Sequence, residues 1–276
     1  MDTAAATSTA AEAAAAALAA KRPKAVTRKA TAAAKPHAAQ RRDAPAGTPA
    51  CLVALVVSCL ATCDEKDLDG LEIFAGLKVI TQAAVVSGLQ YRSLEINDGS
   101  EQDLTADSGL RMAVAYMCRC KPKAVVWFGT PCSSWVFLGR ANSKRFSWWP
   151  AGSDPNLSYT VHHNNLANIT ARLALLASAL GLYFIIEQPA TSVLFLYWPI
   201  AMMLCKTGAK RVCIQLGQFG GDSMKPIELR GTAPFLQQLA DHAANLPSCH
   251  NGKALVSCKR TWGRVAVTGK RQALQD

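Results

Sequence analysis

Apolar residues along this chain come in short runs separated by polar turns, and the spacing alternates between strand-like and helix-like. Asp64–Gly70 (DEKDLDG) reads as a polar turn that opens the folded region. Leu71–Ala75 (LEIFA), stopped by Gly76, predicts a first strand. Val79–Ser87 predicts a helix ended by Gly88, and Tyr91–Ile96 a second strand closing at an acidic residue, Glu95. Ser108–Cys120 is helical in pattern. Lys121 and Pro122 then introduce Ala124–Phe128 (AVVWF), a buried third strand followed by Gly129-Thr130-Pro131-Cys132. Asn164–Leu180 has helix spacing, Leu182–Glu187 (LYFIIE) predicts a strand broken by Pro189, and Val212–Leu216 is a further candidate strand. Alternation of this kind predicts an α/β fold, a mostly parallel sheet with helices on both faces.

Ligands of such sheets sit at the carboxyl ends of the strands. Gly76, Glu95, Cys132 and Glu187 all fall at those expected ends, which turns four scattered residues into one candidate site.

Three longer apolar runs, Ala50–Cys63, Leu173–Ile186 and Val193–Cys205, span 13–14 residues each. A membrane-crossing helix needs about 20. Glu187, Gln188 and Pro189 divide the second run from the third, so buried strands and helices are expected and no membrane span. The N-terminus has no early apolar core of a secretory signal. The ten cysteines are scattered, which suits free thiols in a reducing compartment. Neither Cys118 with Cys120 nor Cys249, His250 and Cys258 has the paired spacing of structural zinc, so no metal is expected.

Charge divides the chain unevenly. The net charge is +11. Residues 1–50 contain 22 Ala and eight Lys/Arg against three Asp/Glu, a balance of 8 − 3 = +5. The other 226 residues contain 22 Lys/Arg and 16 Asp/Glu, a balance of +6. Large apolar residues are nearly absent from the leader, so it cannot build a core. Its Lys21–Arg42 stretch is similar in composition to a linker-histone tail and suits sequence-independent binding of polyanions. A solvated disordered leader is the first reading, a nucleic-acid tail the second and an organelle transit peptide the third. The organisation expected is a basic leader with an apolar linker at 1–63 and an α/β domain at 64–276.

The order of these segments resembles the S-adenosylmethionine-dependent DNA cytosine-5 methyltransferase family. LEIFAGLKVITQAAVVSGL is similar to its first motif, YRSLEIND to its second, WFGTPCSSW to its Pro-Cys loop and FIIEQPATSVL to its later glutamate strand. QLGQFGGDSMKPIEL is similar to a segment of divergent relatives. The match covers roughly Leu71 to Thr232. The resemblance implies a Rossmann-like, class I methyltransferase-like domain that binds S-adenosylmethionine and acts on nucleic acid, DNA ahead of RNA. The location expected is inside the cell, in the nucleus, with organelle targeting by the leader as the alternative. It implies Cys132 as nucleophile and Glu187 as the acid that contacts the base. Glu95 would hold the ribose, Phe74 and Gly76 would line the methionine end, and Asp103 would face the adenine. Pro131, Ser133 and Ser134 would form the substrate loop.

The residue types suit the chemistry. Cytosine C5 is a poor nucleophile until a thiolate adds at C6, and thiolate is accessible to Cys near neutral pH. A carboxyl group near N3 stabilises the adduct. The base must be flipped out of a duplex or already be single-stranded. Trp148 and Trp149, beside Lys144 and Arg145, could stack bases or cover the sheet.

The chain also departs from the family pattern. Gly76 is followed by Leu77-Lys78-Val79 where glycines are usual, Thr130-Pro131-Cys132 replaces Pro-Pro-Cys, and Glu187-Gln188-Pro189 replaces Glu-Asn-Val. Only 44 residues follow Thr232, little for a target-recognition domain. A catalytically inactive nucleic-acid-binding relative is therefore the alternative, and a methyltransferase of another substrate class is a third possibility.

Overall fold

The structure is a computed structural model and describes residues 57–59, 65–219 and 225–246, with the strands at 257–261 and 264–268. The leader of residues 1–50, and its expected disorder, lie outside the described residues. The chain forms a six-stranded, mostly parallel mixed sheet flanked by helices. The strands are β1 Leu68–Ile73, β2 Tyr91–Leu94, β3 Cys120–Phe128, β4 Tyr183–Pro189, β5 Lys210–Gln215 and β6 Pro226–Gly231. The helices are α1 Val79–Val86, α2 Asp107–Arg119, α3 Arg140–Ser143, α4 Ser158–Ala179, α5 Trp198–Thr207 and α6 Leu236–Asn245. Strands β7 Ser257–Thr261 and β8 Arg264–Thr268 pair antiparallel in a separate two-stranded sheet.

The order across the large sheet is β2-β1-β3-β4-β6-β5. Strands β2, β1, β3 and β4 are mutually parallel, and β6 inserts antiparallel between β4 and β5. Because β2 lies on one side of β1 and β3 on the other, the chain reverses direction across the sheet between β1 and β3. That reversal opens a crevice outside their carboxyl ends.

Strand alternation sends side chains to two cores. Leu71, Ile73, Val126, Phe128, Phe184 and Ile186 pack with α2, α4 and α5. Trp127, Ile185, Val212, Ile214, Ile227 and Leu229 pack on the opposite face with α1 and α6. Both faces are thus covered. Truncating a ring as enclosed as Phe128 costs about 3–5 kcal/mol. No helix among the described residues is long and apolar enough to cross a membrane.

Boundaries differ from the sequence pattern where tertiary contacts override it. The turn expected at Asp64–Gly70 already contains the first half of β1. Asp69 within β1 pairs with Lys121 at 2.7 Å, and Asp67 just before it pairs with Arg119. Strand β1 stops at Ile73, because Phe74 takes a left-handed φ of 58°. Strand β3 begins early, at Cys120, and absorbs Pro122 in a bulge: between Leu68↔Cys120 and Gly70↔Val125 it carries three more residues than β1. Strand β4 continues through Pro189. Its pairing with β3 ends at Phe128↔Ile186, and residues 187–189 pair with β6 alone.

Candidate functional site

The crevice holds a cavity of about 350 Å3 lined by Phe74, Gly76, Glu95, Asp103 and Pro131, together with apolar Leu94, Ile96, Leu104 and Leu166. Gln102, Gly129, His162 and His163 complete its wall. All four residues expected to bind a cofactor, and Pro131 of the Cys loop, therefore face one space. The size falls in the usual range for small-molecule sites, about 300–1,000 Å3.

The wall at β1 is built from unusual backbone. Phe74, Gly76 and Lys78 have φ of 58°, 54° and 55°, so three of five consecutive residues are left-handed. For phenylalanine and lysine that region is sterically disfavoured, and such strain concentrates at binding turns. Gly76 is the natural residue there, and a Cβ built on it would meet nothing within 4 Å. Its surface is open for close approach by a ligand. Two side-chain-bearing residues are thus held in the backbone region that glycine favours.

Glu95 fixes this turn from the neighbouring strand end. Its Oε2 accepts the Gly76 N–H at 2.8 Å, and its Oε1 accepts the Asn97 side-chain amide at 2.6 Å and the Asn97 N–H at 3.3 Å. Its own N–H donates to Gln102 Oε1 at 3.0 Å. A carboxylate offers about four acceptor positions, so Glu95 retains capacity for a ligand hydroxyl. Lys78 and Asp98 add an ion pair at 2.7 Å between the turns after β1 and β2. Asp103 spends one carboxylate oxygen on the Thr105 N–H and hydroxyl, at 2.8 and 2.7 Å, so it shapes the turn before α2 while lining the cavity.

The turn after β3 carries Pro131, Cys132, Ser133 and Ser134, and it is tied down residue by residue. Gln188 Nε2 donates to the Thr130 carbonyl at 2.6 Å, and its Oε1 accepts from the Ser192 hydroxyl at 2.8 Å. The Thr130 hydroxyl lies 3.1 Å from that of Thr170 on α4. Ser133 Oγ accepts from the Tyr159 hydroxyl at 3.0 Å and lies 3.4 Å from His163 Nε2. Ser134 is fully buried and accepts from Arg145 Nε at 3.3 Å. Cys132 itself is half-buried, in contrast to Cys120, whose thiol burial pushes up to about 12.

Cys132 and Glu187 do not line the cavity. They lie beyond it on adjacent strands, Cys132 after β3 and Glu187 within β4. Glu187 is half-buried, and its carboxylate has no hydrogen-bond or ion-pair partner among the described residues. The Gln188–Thr130 hydrogen bond joins the residue after Glu187 to the residue two before Cys132.

Four important side chains were not identified from sequence. Gln188 stood out only as a departure from a motif. His162 and His163 lie on the first turns of α4, and their adjacency was the available signal. Burial lowers the His163 pKa to about 4, with His162 and Arg145 contributing, so the imidazole is neutral at pH 7. Its Nδ1 is buried without a hydrogen-bond partner. Arg145, noted from sequence only as a neighbour of Trp148 and Trp149, is completely buried. It lies 3.4 Å over the Trp135 ring and donates to Asn164 Oδ1 at 2.7 Å and the Thr160 carbonyl at 3.2 Å. Burial lowers its pKa to about 10, which leaves it charged at pH 7. Among the described residues no group of three or more His, Cys, Asp or Glu is placed to hold a metal ion. No known family model matches the chain, and none of the curated proteins matches it.

Proposed function

We propose that the chain is a Rossmann-like, class I methyltransferase-like protein that binds S-adenosylmethionine and methylates cytosine C5 in nucleic acid. One observation carries this reading: Phe74, Gly76, Glu95 and Asp103, chosen for cofactor contact by motif order, line a single cavity with Pro131 of the Cys loop. The sheet supports it too, being parallel from β2 to β4 with its direction reversal at that cavity.

The donor set suits the cofactor. Glu95 has acceptor capacity for ribose hydroxyls, Leu94, Ile96 and Leu104 offer an apolar wall for a purine, and Gly76 leaves its face clear. When bound, S-adenosylmethionine supplies an electrophilic methyl carbon. The chain's own part lies one strand over. The Cys132 thiolate would add to cytosine C6 as the Glu187 carboxyl gives its proton to N3, which makes C5 the enamine carbon that takes the methyl group; loss of the C5 proton to a solvent base then expels the Cys132 thiolate and restores the ring. Gln188, held between Thr130 and Ser192, keeps these two segments in register.

A nucleic-acid-binding protein without catalysis is the second reading. It is favoured by the left-handed Phe74 and Lys78 that stand where unstrained glycines would serve a cofactor better. Two measurements separate them. Calorimetric titration with S-adenosylmethionine gives a saturable heat under the first reading and none under the second. An oligonucleotide containing 5-fluorocytosine, incubated with protein and cofactor, gives a covalent adduct that Cys132→Ser abolishes. Absence of the adduct, where a known cytosine methyltransferase traps the same oligonucleotide, rejects catalysis.

A further inference from the structure

We propose that residues 137–150 form a stacking platform for single-stranded nucleic acid, placed beside the Cys132 loop. Within fourteen residues this segment exposes Phe137, Leu138, Trp148 and Trp149, with Trp148 at 77% and Trp149 at 56% exposure. Large aromatics that fill no core are strong candidates for partner contact. Trp148 is not merely loose on the surface. It stacks on Phe146 with ring centroids 5.0 Å apart and planes 11° from parallel, which leaves its other face to solvent. Phe146 and Trp149 exchange backbone hydrogen bonds at 3.2 and 3.0 Å, so Trp148 sits in a closed turn with a fixed direction. A preordered aromatic face loses little entropy when a second flat ring covers it.

The platform is anchored to the candidate site from two sides. Arg145, one residue before Phe146, is the buried cation that holds Ser134, Asn164 and the Thr160 carbonyl. Gly139 packs its backbone directly on the Ser133 carbonyl, where a Cβ would collide. Ser133 and Ser134, the two residues that follow Cys132 in its turn, are therefore the attachment points of the aromatic segment.

Charge selects the occupant. The segment contains Arg140, Lys144 and Arg145 and no acidic residue. With Arg145 interior, exposed Lys144 and half-buried Arg140 are the cations left to the partner. The Arg140 guanidinium lies over the Phe137 ring at 5.0 Å, an alternation of cation and aromatic surface. A partner that is flat, aromatic and anionic uses both features. A single-stranded nucleic acid has free base faces for Trp148 and phosphates for the two cations, whereas a duplex hides its base faces. The nucleic-acid identity of the partner rests on the function proposed above; the stacking surface rests on its own geometry.

The test is equilibrium binding of fluorescein-labelled twelve-residue oligothymidylate, and of the same strand annealed to its complement, to the full-length protein and its variants. Trp148→Ala is expected to weaken single-strand binding about tenfold, in line with base–aromatic stacking. Duplex binding should change less than twofold, and Trp148→Phe should recover most of the loss. Single-strand affinity within twofold of wild type in Trp148→Ala overturns the proposal, as does an equal loss for strand and duplex. Sedimentation that shows Trp148→Ala dissolving a dimer, with oligonucleotide binding unchanged, assigns the surface to a second copy and also overturns it. A Cys132 adduct with Trp148-independent binding sinks this proposal alone. Trp148-dependent binding with no adduct sinks the catalytic reading alone.

Discussion

Gln188 donates its side-chain amide to the Thr130 carbonyl at 2.6 Å, and this bond links the end of β4 to the turn that carries Cys132. It forms because β4 outruns β3: pairing between them stops at Phe128↔Ile186, and Gln188 extends past the strand end to where the backbone of β3 has begun to turn. Gln188 is 1% exposed and Thr130 3%, so the bond is shielded from water. Glutamine suits the position because its amide donates to Thr130 while its carbonyl accepts from Ser192.

Replacing Gln188 with Leu should leave the Thr130 carbonyl buried without its side-chain donor. A buried group left unpaired costs about 1–3 kcal/mol. Urea unfolding should show that loss. The half-buried Cys132 should react faster with iodoacetamide once its turn is released, with the rate followed by mass spectrometry of the Cys132 peptide. An unchanged alkylation rate would show that Gln188 does not position the turn.

Glu95→Gln tests the cavity wall. An amide cannot accept from Gly76 N–H and Asn97 on two oxygens as the carboxylate does, so one contact is lost. S-adenosylmethionine affinity should fall at least about tenfold by calorimetry, the scale of one charge-assisted hydrogen bond of about 1.5–3 kcal/mol. Asp103→Asn should weaken binding less, because Asp103 already spends an oxygen on Thr105.

Elements packed on both faces were legible from sequence because unbroken apolar runs leave few alternatives. Ala124–Phe128 and Leu182–Glu187 became the cores of β3 and β4. Helix α1 was legible from its glycine stop. Strand β6 was not, because Glu228 and Arg230 interrupt its apolar residues. In the fold Glu228, 4% exposed, pairs with Arg230 of its own strand at 2.6 Å and with Arg211 of β5 at 3.1 Å. Strand-end placement pointed to Gly76 and Glu95, which line the cavity, and to Cys132 and Glu187, which do not; Phe74 and Asp103 came only from the resemblance. The left-handed φ of Phe74 and Lys78 was not legible, since neither residue type favours it. The role of Arg145 was not legible either, because its four oxygen acceptors and the Trp135 ring are assembled only by the folded chain.

Arg145→Lys should be strongly destabilising although it keeps the charge. A lysine ammonium is a point donor and cannot span Ser134, Asn164 and the Thr160 carbonyl as a planar guanidinium does, nor stack on Trp135. Loss of about 2–4 kcal/mol is expected for such a buried network, seen as a lower urea midpoint. A variant within about 0.5 kcal/mol of wild type would show that the network contributes only local order.

The buried His163 makes a prediction about acid. Its folded-state pKa is lowered to about 4 by burial first, then by His162 and Arg145. In the unfolded chain it titrates near the ordinary value of about 6.5. Between these values the unfolded state binds the extra proton and the folded state does not, so stability rises with pH across that window. The contribution is complete above about pH 6.5 and is lost as pH falls toward 4. The size is up to about 3 kcal/mol, at about 1.36 kcal/mol per pH unit of separation. Urea unfolding between pH 4 and 7 should therefore steepen for wild type relative to His163→Phe, which has no proton to bind at that site. Phe keeps a ring against Tyr159, whose edge contact with His163 has centroids 4.7 Å apart, but gives up the approach to Ser133. Parallel pH profiles for the two proteins would mean that His163 is solvated in the folded state, and its burial beside Tyr159 would then be wrong.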